Sequence, residues 1–134
     1  MKLSSIMTAN ALVWAVMGIA LGMYAPLALN IFGVPDIPSD DPLLYWNVAA
    51  FSRLYGSALF GMGLLLWAIR SFIDTLSTIN QRGVIFSLIF ANILGAFVAA
   101  TQTASFWHSI SGWILMAIYL VFTFGYGIFL RKQS

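Results

Sequence analysis

The sequence predicts an all-α polytopic membrane protein, a single domain of four transmembrane helices in an antiparallel bundle with both termini cytoplasmic. Of its 134 residues, 61% are hydrophobic and 7% are charged, whereas soluble domains carry about 25% charged residues. The mean hydropathy is +0.93, and apolar runs long enough to cross a bilayer recur along the chain. The absence of cysteine and the single histidine exclude thiolate zinc sites, iron–sulfur clusters and a haem held by two histidines of this chain.

The four helices are predicted from the apolar runs and from their flanking residues. The first covers about residues 9–29, a stretch longer than the apolar core of a signal peptide, so we expect it to be retained. The second begins at Pro42, since proline suits the first helical position and Asp41 can cap it, and extends to about residue 73. The third and fourth cover about residues 83–103 and 107–130. A β-barrel is disfavoured because its strands would alternate polar and apolar residues.

The loops differ in charge, and this difference predicts the orientation. Residues 30–47 hold three prolines and three of the four acids, whereas five basic residues fall on the other side of a four-span arrangement: Lys2, Arg70, Arg82, Arg131 and Lys132. The positive-inside rule places that side in the cytoplasm, and the predicted location is the bacterial inner membrane. The net charge of +2 reflects this topology, so nucleic acid is not expected as a partner.

Arg53 is the first candidate for a functional residue, because it falls within the second predicted helix. It precedes Arg70 by 17 positions, about 25 Å along a helix, which places it inside a hydrocarbon layer about 30 Å thick. An arginine at that depth costs several kcal/mol unless it is paired or hydrated. We therefore expect Arg53 to face the bundle interior or a wet cavity. A structural ion pair and snorkelling to the outer surface are the alternatives.

Other polar residues of the outer half could join Arg53 in a ligand-binding or buried polar cluster. The candidates are Asn47, Tyr55, Gln102, His108, Asp36 and Asp40. His108 could hold one haem or pigment, or donate a hydrogen bond to a quinone, although an interfacial histidine bonded to backbone or headgroup is the favoured interpretation. The sequence requires no cofactor, and no second ligand at metal spacing accompanies the histidine.

Small residues recur at helical spacing and predict close helix packing in lipid. They are Gly18, Gly22, Gly56, Ser57, Gly61 and Gly63. A phosphate-binding loop is not indicated, because a glycine-rich anion cradle needs a loop before a free helix N-terminus.

Residues 50–67, AFSRLYGSALFGMGLLLW, resemble the second helix of the DoxX-like superfamily of small four-helix membrane proteins. Arg53, Gly56 and the pair Gly61 and Gly63 follow a proline-containing loop in the order that superfamily shows. The resemblance implies a four-span fold and a role as a membrane subunit beside quinone-reducing or redox-stress partners. It also implies that Arg53 and Gly56 belong to a shared packing or quinone-side feature of the second helix.

The function predicted from these features is that of an accessory or structural subunit of a larger membrane complex, including redox-linked or quinone-linked complexes. Its partners would be the lipid bilayer and other membrane subunits or further copies of itself. One alternative is a stand-alone binder or carrier of a lipid-like or quinone ligand in an outer-leaflet cavity near Arg53. A second is a minimal oligomeric transporter or channel. No enzyme is expected, because the single histidine has no acid at a fixed spacing with which to form a hydrolase triad.

Overall fold

A computed structural model of the chain describes residues 2–34, 42–107 and 109–132. Within these ranges the protein is all-helical and has no strand. The helices are α1 (Leu3–Met23), α2 (Ala25–Ile31), α3 (Pro42–Ile69), α4 (Thr78–Gln102) and α5 (Ile110–Lys132). All except the short α2 are long and apolar enough to cross a membrane, which indicates an integral membrane protein.

The first predicted helix is divided in the structure. α1 begins at Leu3 and ends at Met23, and Tyr24 then adopts φ −119° and ψ 39° before α2 begins. Pro26 explains the break. Inside a continuous helix it would remove one backbone hydrogen bond and clash with the preceding turn, whereas near the start of α2 its missing N–H is not needed.

The other helix ends depart from the apolar runs by a few residues. α3 runs from Pro42 to Ile69, short of the predicted end near residue 73, and Ile73–Thr75 then form a 3₁₀ turn. α4 begins at Thr78, ahead of residue 83, because polar residues continue the helix beyond its apolar part. A π-helical turn at Thr103–Trp107 follows α4, so α5 begins at Ile110.

α1 and α3 form the first closely packed pair. A Cβ built on Gly18 would lie 2.7 Å from the carbonyl oxygen of Gly56, and one built on Gly63 would lie 2.8 Å from the backbone nitrogen of Ala15. Such distances leave no room for a side chain, so these glycines allow the two backbones to touch. At the end of α3, Arg70 stacks 3.5 Å from the ring centroid of Trp67 and donates a hydrogen bond to Thr8 Oγ1 at 3.0 Å.

α4 and α5 form the second pair. The ring of Tyr119 covers Gly95, where a Cβ would lie 2.8 Å from the aromatic carbons, and Gly112 lies against the side chain of Thr103. Contact between the two pairs is sparse and runs mainly from α1 to α5, whereas α3 and α4 barely touch. One link is a buried hydrogen bond in which Asn10 Nδ2 donates to the Tyr126 hydroxyl at 3.1 Å.

Candidate functional site

A cavity of about 550 Å³ lies between the α1–α3 pair and the α4–α5 pair. The cavity forms because glycines let the two helices within each pair pack closely, whereas α3 and α4 make little contact with each other. All five helices contribute to its wall. The contributors on α1 are Trp14, Met17 and Leu21, whose i, i+3 and i+7 spacing places them on one helix face.

The cavity opens sideways between α3 and α4. Its inner wall includes Trp14 and Tyr119, which are each 5% exposed, whereas its rim includes Tyr55 on α3 and Leu94 on α4, which are 53% and 63% exposed. For a bundle inserted in a membrane, the space beside α3 and α4 is filled by lipid. The opening therefore faces the lipid.

The lining is apolar apart from a few uncharged polar groups. Tyr55, Tyr119, Ser52 and Gln102 supply them, and no charged side chain lines the cavity within the described ranges. Tyr55 on α3 and Tyr119 on α5 line the cavity from different helix pairs. Ser52 Oγ already donates to the Val48 carbonyl oxygen at 2.9 Å. The arrangement can hold an apolar molecule that carries a small neutral polar group.

Trp14 contributes a buried donor to the inner wall. Its Nε1–H has no hydrogen-bond partner among the described residues, although most buried polar atoms in proteins are hydrogen-bonded. Asn10, one turn earlier on the same face of α1, keeps a buried Oδ1 that is also unbonded within those ranges. Trp14 therefore has a hydrogen-bond donor that no described residue accepts.

The structure divides the predicted cluster. Tyr55 and Gln102 line the cavity, whereas Asn47 does not. Arg53 is also absent from the lining and is exposed, so the expectation that it faces the bundle interior or a cavity is not met. It lies about 160° around α3 from Tyr55. The side of α3 that faces α1 is occupied by Ala49 and Gly56, both buried, and backbone contact there leaves no space for an arginine.

Several predicted residues lie outside the described ranges, so the structure says nothing about their roles. They are Asp36, Asp40, Asp41 and His108. In the part of the chain that is described, no group of three or more histidine, cysteine or acidic residues could hold a metal ion.

The small residues also differ in what surrounds them. Gly18, Gly56 and Gly63 lie where α1 and α3 touch, and a Cβ on Gly22 would make ordinary contact with Gly56 at 3.9 Å. Ser57 is exposed, and its hydroxyl donates to the Arg53 carbonyl oxygen at 2.9 Å. Gly61 differs from the packing role predicted for it, because a Cβ there would have nothing within 4 Å.

Trp14 and Tyr119 are two of the cavity residues that sequence reasoning missed. Both are aromatic residues within apolar runs, and such residues are usually core or lipid-facing. The one available signal was the spacing of Trp14, Met17 and Leu21. Comparison with protein-family models, with curated proteins and with solved structures gave no match for this chain.

Proposed function

We propose that this protein binds or carries a lipid-like ligand, a class that includes quinones, in the cavity between its helix pairs. The observation that carries the proposal is an apolar cavity of about 550 Å³ that opens sideways between α3 and α4. That volume lies within the range of about 300–1,000 Å³ found for small-molecule sites. A lining without charge among the described residues favours ligands that partition into the bilayer.

Blocking the opening tests this proposal. Ala91 is an exposed residue of the α4 wall, so Ala91→Trp should fill the entrance without crowding a packed interface. Ala50 is exposed on α3, does not line the cavity and lies about 140° around the helix from Tyr55, so Ala50→Trp is the matched control. We expect mass spectrometry of lipids extracted from purified protein to show at least a tenfold loss of the retained ligand in Ala91→Trp alone. Equal retention by the wild type and both variants would contradict ligand binding in this cavity.

The same experiment tests whether Arg53 contributes to ligand binding. Because Arg53 does not line the cavity, Arg53→Ala should retain the ligand as the wild type does. Loss of ligand in Arg53→Ala with full retention in Ala91→Trp would place the binding site elsewhere.

We further propose an antiparallel bundle in a bacterial inner membrane with both termini cytoplasmic. The contact of Arg70 with Thr8, the bond between Asn10 and Tyr126, and the bond from Ser111 Oγ to the Ile31 carbonyl oxygen at 2.6 Å support alternating helix directions. The natural chain lacks cysteine, so single introduced cysteines report sidedness directly. In intact cells, an impermeant maleimide should label Leu43→Cys and spare Ser77→Cys, and the reverse pattern would invert the orientation.

A second candidate function is the predicted role as subunit of a larger membrane complex, and the exposed position of Arg53 favours it. An arginine within the hydrocarbon layer is stabilised by a carboxylate on a neighbouring helix. A two-fold dimer around this face would bring two arginines to the same depth, so we expect a different protein as the partner. The resemblance to DoxX-like membrane subunits agrees with this role and remains a prediction.

Purification in mild detergent at native expression level tests the assembly. We expect a stoichiometric partner in the wild type, its loss in Arg53→Gln, and its retention in the control Arg131→Gln, which removes an exposed charge at the end of α5. Recovery of the wild type as a lone protomer would count against the complex. It would not bear on the proposal that the cavity binds a ligand.

A further inference from the structure

We propose that the ligand is an uncharged amphiphile that lies lengthwise in the cavity, with its polar head beside Gln102 and Ser52 and its hydrocarbon tail toward Trp14. The head would occupy the α2 end of the cavity, where Leu29 of α2 lines the wall. This inference rests on the proposed ligand-binding function and adds the orientation and the head-group class of the ligand. The observation behind it is the uneven placement of polar side chains along the wall.

Contacts within the first helix pair show where Ser52 lies along the cavity. Gly56 lies against Gly22, near the end of α1, and Gly63 lies against Ala15. Later residues of α3 therefore approach the start of α1, and earlier ones approach α2. Ser52 precedes Gly56 by one turn, about 6 Å along the helix, so it lies level with the beginning of α2.

The second helix pair brings another polar side chain to the same end. Thr103 lies against Gly112, and the neighbouring Ser111 hydroxyl donates to the Ile31 carbonyl oxygen of α2 at 2.6 Å. Gln102 precedes Thr103 and lines the cavity. It therefore also lies at the α2 end.

The opposite end of the cavity presents mainly carbon. Trp14 lines it, but its Nε1 atom is buried, so the surface that this side chain offers to a ligand is apolar. Met62 lies at about the same height, because the next residue of α3 packs against α1 one residue beyond Trp14. The ring of Tyr119 lies on Gly95, about 10 Å along α4 from Gln102, and thus between the two ends.

The Gln102 carboxamide has unused hydrogen-bonding capacity. It can both donate and accept, and it forms no hydrogen bond with the residues that the structure describes. The Ser52 hydroxyl donates to the Val48 carbonyl oxygen and keeps lone pairs that can accept. Together the two side chains can bind a head that donates, accepts or does both, such as a hydroxyl, a carbonyl or an amide.

A charged head is disfavoured at this end of the cavity. Burying a carboxylate, phosphate or ammonium without an opposite charge is strongly unfavourable, and no described lining residue is charged. An uncharged head needs only hydrogen bonds, which the Gln102 carboxamide can supply.

The proposed orientation also agrees with the position of the cavity in a bilayer. Gln102 is the last residue of α4, and the ends of a membrane-crossing helix lie near the interface. Trp14 lies near the middle of α1. An amphiphile that enters sideways from the adjacent leaflet therefore keeps its head toward the interface and does not have to turn over. In the proposed topology this is the outer leaflet.

Two photoreactive derivatives of 1-dodecanol test the orientation. One carries a diazirine beside the hydroxyl-bearing carbon, and the other carries it at the chain end. The purified full chain in detergent would be irradiated with each, and mass spectrometry of its peptides would locate the labelled residues. We expect the first probe to label residues 98–103 of α4 and the second to label Trp14 or Met62, each with at least a tenfold preference.

A variant and a competitor test the head group. Gln102→Leu should reduce labelling by the head-proximal probe at least fivefold. Thr101→Val is the matched control, because Thr101 is the adjacent residue, does not line the cavity and donates its hydroxyl proton to the backbone of α4. Unlabelled 1-dodecanol should compete with the probe at least tenfold more effectively than dodecanoate.

The outcomes separate this inference from the proposed function. A reversed labelling pattern, equal labelling of both ends by each probe, stronger competition by dodecanoate, or unchanged labelling of Gln102→Leu would overturn the inference while leaving ligand binding in the cavity in place. Absence of labelling at every lining residue would contradict the proposed function as well.

Discussion

Replacement of Gly56 by leucine is expected to separate α1 from α3 and to destabilise the protein by about 3 kcal/mol. A Cβ at this position would lie 2.8 Å from the Gly18 carbonyl oxygen and 2.8 Å from the backbone carbon of Leu21. Both are backbone atoms, which cannot rotate away as a flexible side chain can. The helices must therefore move apart along the surface that holds the first pair together. The midpoint of thermal unfolding in detergent, followed by circular dichroism, measures the effect.

Gly61→Leu is the control for this experiment. Gly61 lies in the same helix, and a Cβ there would have nothing within 4 Å. Because both substitutions gain the same helix propensity, the difference between them reports helix packing alone. Similar unfolding midpoints for the two variants would contradict close backbone contact at Gly56.

Replacement of Trp14 by alanine is the second change with a large expected effect, a loss of about 3 kcal/mol in the free energy of unfolding. Trp14 is 5% exposed and packs in a buried cluster with Leu59, Phe122 and Tyr126. The substitution removes contacts with both helix pairs and enlarges the cavity. Its Nε1 has no partner within the described ranges, so we attribute the loss to packing, and Trp14→Phe should be milder than Trp14→Ala.

Trp113 provides the comparison for Trp14. It lies on α5 and is 48% exposed, so Trp113→Ala should shift the unfolding midpoint much less than Trp14→Ala. If the two alanine variants unfold at the same temperature, Trp14 does not support the inner wall of the cavity.

The existence and approximate extent of the four long helices could be read from hydropathy, because a helix that crosses a bilayer needs about 20 apolar residues. Local chemistry added a predicted start for the second long helix, because proline is favoured at the first helical position. The break after Met23 was harder to predict. Pro26 indicates an interruption, but the residues on both sides of it are apolar. Hydropathy therefore predicts one continuous helix.

The direction in which each side chain points was not predictable in the same way. A soluble helix reveals its buried face by alternating polar and apolar residues, but α3 is apolar on nearly all sides. The depth of Arg53 followed from counting residues, whereas its exposed orientation depends on which face of α3 meets α1. Gly56 and Gly61 look alike in the sequence, and only the structure shows that one touches a neighbouring helix.

The sideways opening of the cavity determines what any ligand must displace. In a bilayer the space between α3 and α4 is filled by acyl chains, which are as apolar as leucine side chains. An incoming ligand exchanges with such a chain and not with water, so its hydrocarbon part gains little net free energy from entering. Selection among membrane components therefore depends on shape and on the few polar atoms of the wall, and the measured affinity will vary with the lipid composition of the membrane.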